Sequence, residues 1–282
     1  MKKLLLLSDF TANSDHAATI ALRLCEKLKS DLLLYHSVQY VPFVTDYTYG
    51  SVITETADTL FKESKERLNK EAESLQPLTI HMPGYHPQIT SESGAGNLGA
   101  NIKVISGRDD ISLIVMGGRT GSTLDHLLTG SETAAVINNI RKPVLVIPEK
   151  ADLQELNKVI FATDFSTADI QAIDFLMDMA HLLDFQIEAV HIIKHGANAI
   201  GIEKEVACRK YLSNLDQQII SYKLISGDHI VPRLQDYCKE TGANLLVMTH
   251  GHYNVISRLF THSDTKEVLA HQQVAVMIIP ED

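Results

Sequence analysis

Residues 3–11 read KLLLLSDFT, and residues 158–166 read KVIFATDFS. Each stretch begins with a lysine and a short apolar run, and each continues into Asp-Phe followed by a hydroxyl residue. A continuous apolar run of this length is typical of a strand that is buried on both faces of a parallel sheet. The sequence therefore predicts the same first strand twice, at positions 155 residues apart.

The similarity between the two halves of the chain extends beyond these strands. Residues 3–38 match residues 158–193 at a constant offset of 155, and residues 111–149 match residues 243–281 at an offset of 132. Two collinear blocks at fixed offsets indicate a tandem duplication. The difference, 155 − 132, gives the first copy 23 more residues between its two blocks.

The additional residues of the first copy lie between Gln39 and Asp110. Two segments are candidates for them, the aromatic stretch 40–49 and the segment 81–99. Each has two interpretations, a flap over a ligand site or a surface loop. Both interpretations stay open at the level of sequence.

Each copy alternates short apolar runs with amphipathic segments of helical period. In the first copy the predicted strands and helices, in chain order, are Leu4–Leu7, a helix capped by Ser14 or Asp15 and ending near Leu28, Leu32–His36, Thr56–Leu75, Leu98–Ser106, Ile111–Met116, Ser131–Asn139 and Val144–Ile147. In the second copy they are Val159–Ala162, Ile170–Leu183, Gln186–His191, Glu203–Leu215, Ile219–Ile225, Ile230–Thr241, Asn244–Met248, Ser263–His271 and Val274–Ile279. Such alternation predicts an α/β fold of two tandem doubly wound parallel-sheet domains, residues 1–149 and 158–282, joined by a linker at 150–157.

The composition excludes several classes of protein. A formal net charge of −10 with no long basic run argues against a nucleic-acid partner. Three widely spaced cysteines argue against a disulfide framework and fit a reducing compartment. The apolar run that begins at Leu4 ends after four residues, which is too short for a secretion signal or a membrane span. We therefore expect a cytoplasmic protein without a membrane partner.

Candidate ligand-binding residues follow two strands of the first copy. In open parallel sheets, ligands bind beyond the carboxyl ends of the strands. Asp9 lies at such an end and could accept a hydrogen bond from a ribose hydroxyl or a base amino group. The segment 116–121 contains three glycines and leads to Gly130 and Ser131 at a helix start, where backbone amides favour a phosphate. The alternative interpretation is a tight turn followed by an ordinary helix cap.

These motifs together resemble the universal stress protein family. Asp9-Phe10-Thr11 follows an apolar strand, Val115-Met116-Gly117 ends another, Gly130-Ser131 comes next, and residues 143–148 read PVLVIP. The resemblance covers nearly the whole chain, once per copy. It implies a Rossmann-like, adenine nucleotide α-hydrolase-like fold whose two copies pack as an internal pseudo-dimer.

The same resemblance implies a ligand, namely ATP, ADP or AMP, with Mg²⁺ accompanying the nucleotide. Asp9 and Ser37 would face adenosine, and Met116 would line the same site. The phosphates would face Gly117, Thr120, Gly130 and Ser131. Thr120 departs from the family's ATP-binding motif, Gly-x2-Gly-x9-Gly-[Ser/Thr], because it stands at the second glycine.

The second copy departs further from that motif. Thr249, His252 and His262 occupy the three glycine positions, and only Ser263 remains. We therefore expect nucleotide binding in the first domain only. A less favoured alternative is a metal site formed by His250, His252 and His262, since imidazole is a common metal ligand.

Three functions are open on this sequence. The leading hypothesis is a nucleotide-responsive regulatory protein of the stress response, with a protein partner that the sequence does not name. The second is an interaction scaffold that has lost nucleotide binding in both halves. The third, an enzyme acting on adenylates, lacks a candidate general base beside the glycine loop, so at most slow ATP hydrolysis is expected. The terminal strands, Val144–Ile147 and Val276–Ile279, are expected to cover each other's edges, either within one chain or in a homodimer.

Overall fold

The computed structural model describes residues 1–39, 50–118, 131–153, 155–193, 202–251 and 274–281. The chain divides into two compact units. The first comprises residues 1–117 and 131–142, and the second comprises residues 118–130 and 143–282. No helix among the described residues is long and apolar enough to cross a membrane.

The first unit contains a four-stranded parallel sheet. Its elements in chain order are β1 (Lys3–Leu7), α1 (Ala12–Leu28), β2 (Asp31–Val38), α2 (Gly50–Ile80), β3 (Ile89–Ala95), α3 (Leu98–Ile105), β4 (Ile111–Gly117) and α4 (Ser131–Ile137). The strand order is β3-β2-β1-β4, and every neighbouring pair is parallel. The central strand β1 is apolar because both of its faces are covered, and Leu4, Leu5 and Leu6 are fully buried.

The second unit contains a six-stranded sheet. Its elements are β5 (Val144–Ile147), β6 (Lys158–Ala162), α5 (Thr167–Leu183), β7 (Gln186–Ile193), α6 (Ile202–Leu212), β8 (Ile220–Ser226), α7 (Ile230–Thr241), β9 (Leu245–Thr249) and β10 (Ala275–Ile279). The strand order is β5-β10-β9-β6-β7-β8. All neighbours are parallel except β5 and β10. The predicted α/β fold with parallel sheets in tandem is confirmed.

The first helix of each unit begins and ends with the same kind of cap. Thr11 caps α1 and Ser166 caps α5, each accepting a hydrogen bond from the amide three residues later. The helices end at Lys29 and Asp184, which both adopt left-handed backbone with φ of 49° and 59°. These cap positions are 155 residues apart (166 − 11 and 184 − 29), so the duplication extends to backbone detail. The predicted cap at Ser14 or Asp15 is wrong, because the Thr11 hydroxyl already accepts from the Ser14 amide.

The additional residues of the first copy lie before β3. The third strands of the two units are 131 residues apart (220 − 89), whereas the second strands are 155 apart (186 − 31). Much of the excess is helix, because α2 has 31 residues and α6 has 11. Nine of the nineteen residues of segment 81–99 lie in β3 and at the start of α3, so neither a flap nor a surface loop describes that part of it. The other candidate, 40–49, lies outside the described residues.

The two terminal strands pair with each other as predicted. Val144 lies opposite Ile278, and Val146 lies opposite Val276, in antiparallel register. All four residues of β5 are buried. Because β5 pairs with β10, this last strand of the first copy belongs to the second compact unit. The domain boundaries given by the repeat remain a prediction, and they differ from the compact units by this one strand.

Candidate functional site

The loop after β1 has a strained conformation that aromatic contacts stabilise. Phe10 has a φ of 61°, which a residue with a bulky side chain rarely adopts. Its ring lies 4.5 Å from the ring of His36, and the guanidinium of Arg67 lies 3.9 Å above it. The Nδ1 atom of His36 is 2.7 Å from the carbonyl oxygen of Ser8, at the end of β1. His36 therefore holds the loop in place and does not face a substrate.

The second unit builds the same loop from equivalent residues. Phe165 has a φ of 66°, and its ring lies 4.3 Å from that of His191. The Nδ1 atom of His191 is 2.8 Å from the carbonyl oxygen of Thr163. The loops therefore share one backbone shape, and differences in binding must arise from the side chains around them.

Asp9 presents a carboxylate from this loop in the first unit. Its Oδ1 accepts hydrogen bonds from the amide of Thr11 at 3.0 Å and from the hydroxyl of Thr11 at 2.6 Å. Within the described part of the chain its Oδ2 has no partner, and the side chain is exposed. The turn thus orients the carboxylate and leaves one oxygen to accept a hydrogen bond from a ligand.

Ser37 lies at the end of β2, and its hydroxyl is already engaged. It donates a hydrogen bond to the carbonyl oxygen of Gly96 at 2.9 Å and accepts one from the side-chain amide of Asn101 at 2.8 Å. These bonds join the end of β2 to the start of α3. Asn101 was not singled out from the sequence, because a lone asparagine in a helix carries no motif. A ligand contact at Ser37 would use the remaining lone pair of its oxygen.

Gly117 ends β4 where that strand meets α1. A β-carbon there would lie 3.0 Å from both the carbonyl carbon and the carbonyl oxygen of Asn13. A side chain here would need strand and helix to shift apart by a few tenths of an ångström, so close packing favours glycine at this position whether or not a ligand binds. Met116 before it is buried. Ser131 begins α4, whereas Thr120 and Gly130 lie outside the described residues.

The second unit has a buried carboxylate at the start of its first helix. Asp169 is fully buried. Its Oδ2 accepts hydrogen bonds from the hydroxyl of Thr163 at 2.6 Å and from the amides of Asp164 and Ser166 at 3.1 and 3.2 Å. The hydroxyl of Thr249 donates to its Oδ1 at 3.4 Å. These hydrogen bonds satisfy both oxygens of the buried carboxylate.

The sequence shows why only the second unit has a carboxylate at this position. Asp169 takes the position of Ser14, since 169 − 155 = 14, and Thr249 takes the position of Gly117, since 249 − 132 = 117. The first unit therefore has a neutral serine and a glycine where the second has a carboxylate and a hydroxyl donor. The glycine replacement was visible in the sequence, but the role of Asp169 was not, because it reads as an ordinary helix-start residue.

The histidine cluster is only partly within the described structure. His250 follows β9, and burial lowers the pKa of its ring. His252 and His262 lie outside the described residues. Among the residues that are described, no group of three or more metal-binding side chains is present. The metal alternative stays a prediction.

Comparisons with known proteins agree with this architecture. Residues 1–148 and 155–280 each match the model of the universal stress protein family. A universal stress protein from Archaeoglobus fulgidus matches with a TM-score of 0.62 and 16% identity, over 99% of this chain and 96% of that chain. A protein from Pseudomonas aeruginosa UCBPP-PA14 matches with a TM-score of 0.54 and 11% identity, over 99% and 93%. At identities this low, the two matches show a shared fold and no more.

One further match concerns a single copy. A universal stress protein in complex with cAMP matches 52% of this chain and 97% of that chain, with a TM-score of 0.34 and 16% identity. No curated protein sequence matches the chain. Because the family model covers almost every residue, once in each copy, the chain belongs to the universal stress protein family.

Proposed function

We propose that the protein is a regulatory module of the stress response that binds one adenine nucleotide, in the crevice of the first unit only. ATP, ADP or AMP is the ligand, and Mg²⁺ accompanies it where phosphates require it. The observation that carries the proposal is the contrast between the crevices. In the first unit Asp9 offers an oxygen with no partner among the described residues, and Ser14 and Gly117 stand where the second unit has the buried carboxylate of Asp169 and the hydroxyl of Thr249.

The roles of the remaining residues follow from the positions that they share with the family's nucleotide-binding motif. Asp9 accepts a hydrogen bond from ribose or from the base, while Ser37 and Met116 line the adenosine side. Gly117, Thr120, Gly130 and Ser131 lie along the phosphates. No acid–base pair is assigned to this site, so the protein is a binding module and hydrolyses ATP slowly at most.

A second candidate is favoured by one specific observation. The close approach of Gly117 to Asn13 explains that glycine by packing alone. If the other motif residues likewise serve only turns and caps, the protein is an interaction scaffold without nucleotide. Its partner is then a protein, or a second copy of the chain.

We place the protein in the cytoplasm. Cys25, Cys208 and Cys238 are all free and buried. Burial raises the pKa of the Cys208 thiol to about 11 and that of Cys238 to about 12. Free thiols that need no disulfide partner suit a reducing compartment.

Matched variants in the two copies test the nucleotide site. Asp9→Asn and Asp164→Asn each keep a carbonyl oxygen for the turn, but each replaces the second oxygen with a donor. ATP at about 100-fold above its dissociation constant should stabilise the wild-type chain by about 2.7 kcal/mol in thermal unfolding. We expect Asp9→Asn to weaken binding about tenfold or more, because bonds to charged groups contribute about 1.5–3 kcal/mol. Asp164→Asn should leave it unchanged.

Two results would count against the assignment. If Asp164→Asn removes the ATP-dependent shift and Asp9→Asn does not, the nucleotide lies in the second unit. If ATP, ADP and AMP all fail to stabilise the chain, and mass spectrometry finds no nucleotide released from the purified protein, the scaffold function stands instead.

A further inference from the structure

We propose that a cavity of about 520 Å³ between α1 and α2 of the first unit binds a small zwitterion with an ammonium and a carboxylate, such as a free amino acid. The volume lies within the range of small-molecule sites, roughly 300–1,000 Å³. The cavity lies between two helices, and Phe10 also lines it, whereas Asp9, Ser37 and Gly117 do not. Its ligand is therefore a second one, independent of the proposed nucleotide.

The cavity exists because α1 presents small or short side chains to a long helix. The residues of α2 that line the cavity recur at helical spacing and therefore share one face of the helix. They are Arg67, Lys70, Glu71, Ser74, Leu75 and Leu78. Opposite it, α1 contributes Asp15, Ala18 and Thr19. Ala18 and Thr19 do not reach across the gap. The second copy has Ile173 and Asp174 at these two positions (173 − 155 = 18), and Ile173 is fully buried.

Glu71 contributes a buried carboxylate to the lining of the cavity. Its side chain is only 9% exposed. The Oε2 atom accepts a hydrogen bond from the hydroxyl of Ser8 at 2.7 Å, whereas Oε1 is buried without a partner. Native proteins rarely leave a buried carboxylate oxygen unmatched. A ligand ammonium matches it in both charge and hydrogen-bonding sense.

The exposed rim of the cavity supplies the complementary charge. Arg67 and Lys70 are both exposed. Arg67 is held over the ring of Phe10, and in the described part of the chain Lys70 forms no ion pair. A ligand carboxylate would meet these two cations while its ammonium reaches Glu71. Leu75, buried beside the floor, gives the carbon atoms between the two charges an apolar contact.

The site is tested on the full chain with each proteinogenic amino acid in turn, by saturation-transfer NMR followed by calorimetric titration. The strongest binder is then compared with its analogue lacking the amine and its analogue lacking the carboxylate. We expect each analogue to bind at least about tenfold more weakly, since each loses a charge-assisted contact.

Variants locate the binding. Glu71→Gln keeps the side-chain volume but loses the negative charge, and we expect at least about tenfold weaker binding. Ala18→Ile introduces the residue of the second copy and should block the cavity. Lys65→Gln is the matched control, because Lys65 is exposed and lies on the opposite face of α2 by helical periodicity. It should bind like the wild type.

The proposal is overturned if no amino acid binds, or if binding survives both Glu71→Gln and Ala18→Ile in chains with wild-type circular dichroism. Equal affinity for the amine without a carboxylate would also overturn it. Binding that ATP abolishes by direct competition, and that Asp9→Asn removes, would place the amino acid in the crevice and contradict the second site. The nucleotide proposal is unaffected by the first two outcomes, since its probes and variants are different.

Discussion

Replacing Asp169 with alanine should destabilise the second unit far more than the equivalent change in the first. The carboxylate accepts hydrogen bonds from the hydroxyl of Thr163 and from the backbone amides of Asp164 and Ser166. Alanine removes the acceptor of the Thr163 hydroxyl and the Asp164 amide, whereas the Ser166 amide keeps the carboxylate of Asp164. Each unmatched donor costs about 1–3 kcal/mol, but such losses are not additive. We therefore expect a loss of about 3–5 kcal/mol in the free energy of unfolding, as for other broken buried networks.

Ser14→Ala is the matched control, because Ser14 occupies the equivalent position in the first copy. Among the described residues, its hydroxyl donates to the carbonyl oxygen of Thr11 alone, at 2.9 Å. Loss of one neutral hydrogen bond should reduce the free energy of unfolding by about 1 kcal/mol. Urea denaturation followed by far-ultraviolet circular dichroism measures both variants, and hydrogen exchange assigns each loss to its unit. An Asp169→Ala loss no larger than that of Ser14→Ala would show that the carboxylate does not hold the second loop.

Three further predictions follow from other parts of the molecule. Burial raises the pKa of Glu71, and the charges of Asp15 and Asp9 add to the rise. The folded chain therefore keeps the Glu71 proton to a higher pH than the unfolded chain does. This proton stabilises the fold at low pH, and that stabilisation is lost as pH rises through the raised pKa. Glu71→Gln should remove that part of the pH dependence and should be the more stable form at neutral pH, so urea midpoints that fall equally in both proteins would contradict it. An isolated fragment 1–150 should dimerise or aggregate, because β5 loses its partner β10; a fragment that sediments as a monomer and matches the full chain in stability would show that the pairing is dispensable. ATP turnover should stay well below the ordinary enzymatic range of about 1–1,000 per second, and activity in that range that co-purifies through several columns would refute the binding-module assignment.

The sequence predicted the fold where its pattern is local and repeated. Apolar runs at constant offset predicted β1 and β6, and the shared ending of the terminal strands predicted their pairing. The sequence did not predict β3, because its seven residues, ITSESGA, are largely polar and it lies at the end of the strand order in the first unit. A strand of this kind is specified by its neighbour β2 more than by its own composition.

The candidate site was predictable only where a motif carries it. Asp9 and Gly117 follow strands and stand in recognisable contexts. Glu71 lies on a helix of mixed polarity, and nothing local distinguishes it from Glu66 or Glu73, which are exposed. Its burial depends on a contact with Ser8, which is 63 residues away in the sequence. Asp169 likewise reads as a first-turn acid, and its role depends on Thr249, which is 80 residues away.

The two copies differ at two neighbouring positions in a coupled way. Thr249 places a hydroxyl donor at the position where the first unit has Gly117, and Asp169 places the acceptor for it on the adjoining helix. Either change alone is unfavourable: a buried carboxylate would lose a donor, or a buried hydroxyl would lose its acceptor. Together they form a satisfied network at the position where the first unit keeps glycine and serine. The start of this helix is therefore stabilised by internal contacts, while the strands of the same unit provide the antiparallel partner for β5. A copy that contributes a strand partner keeps this structural role whatever side chains surround its first loop.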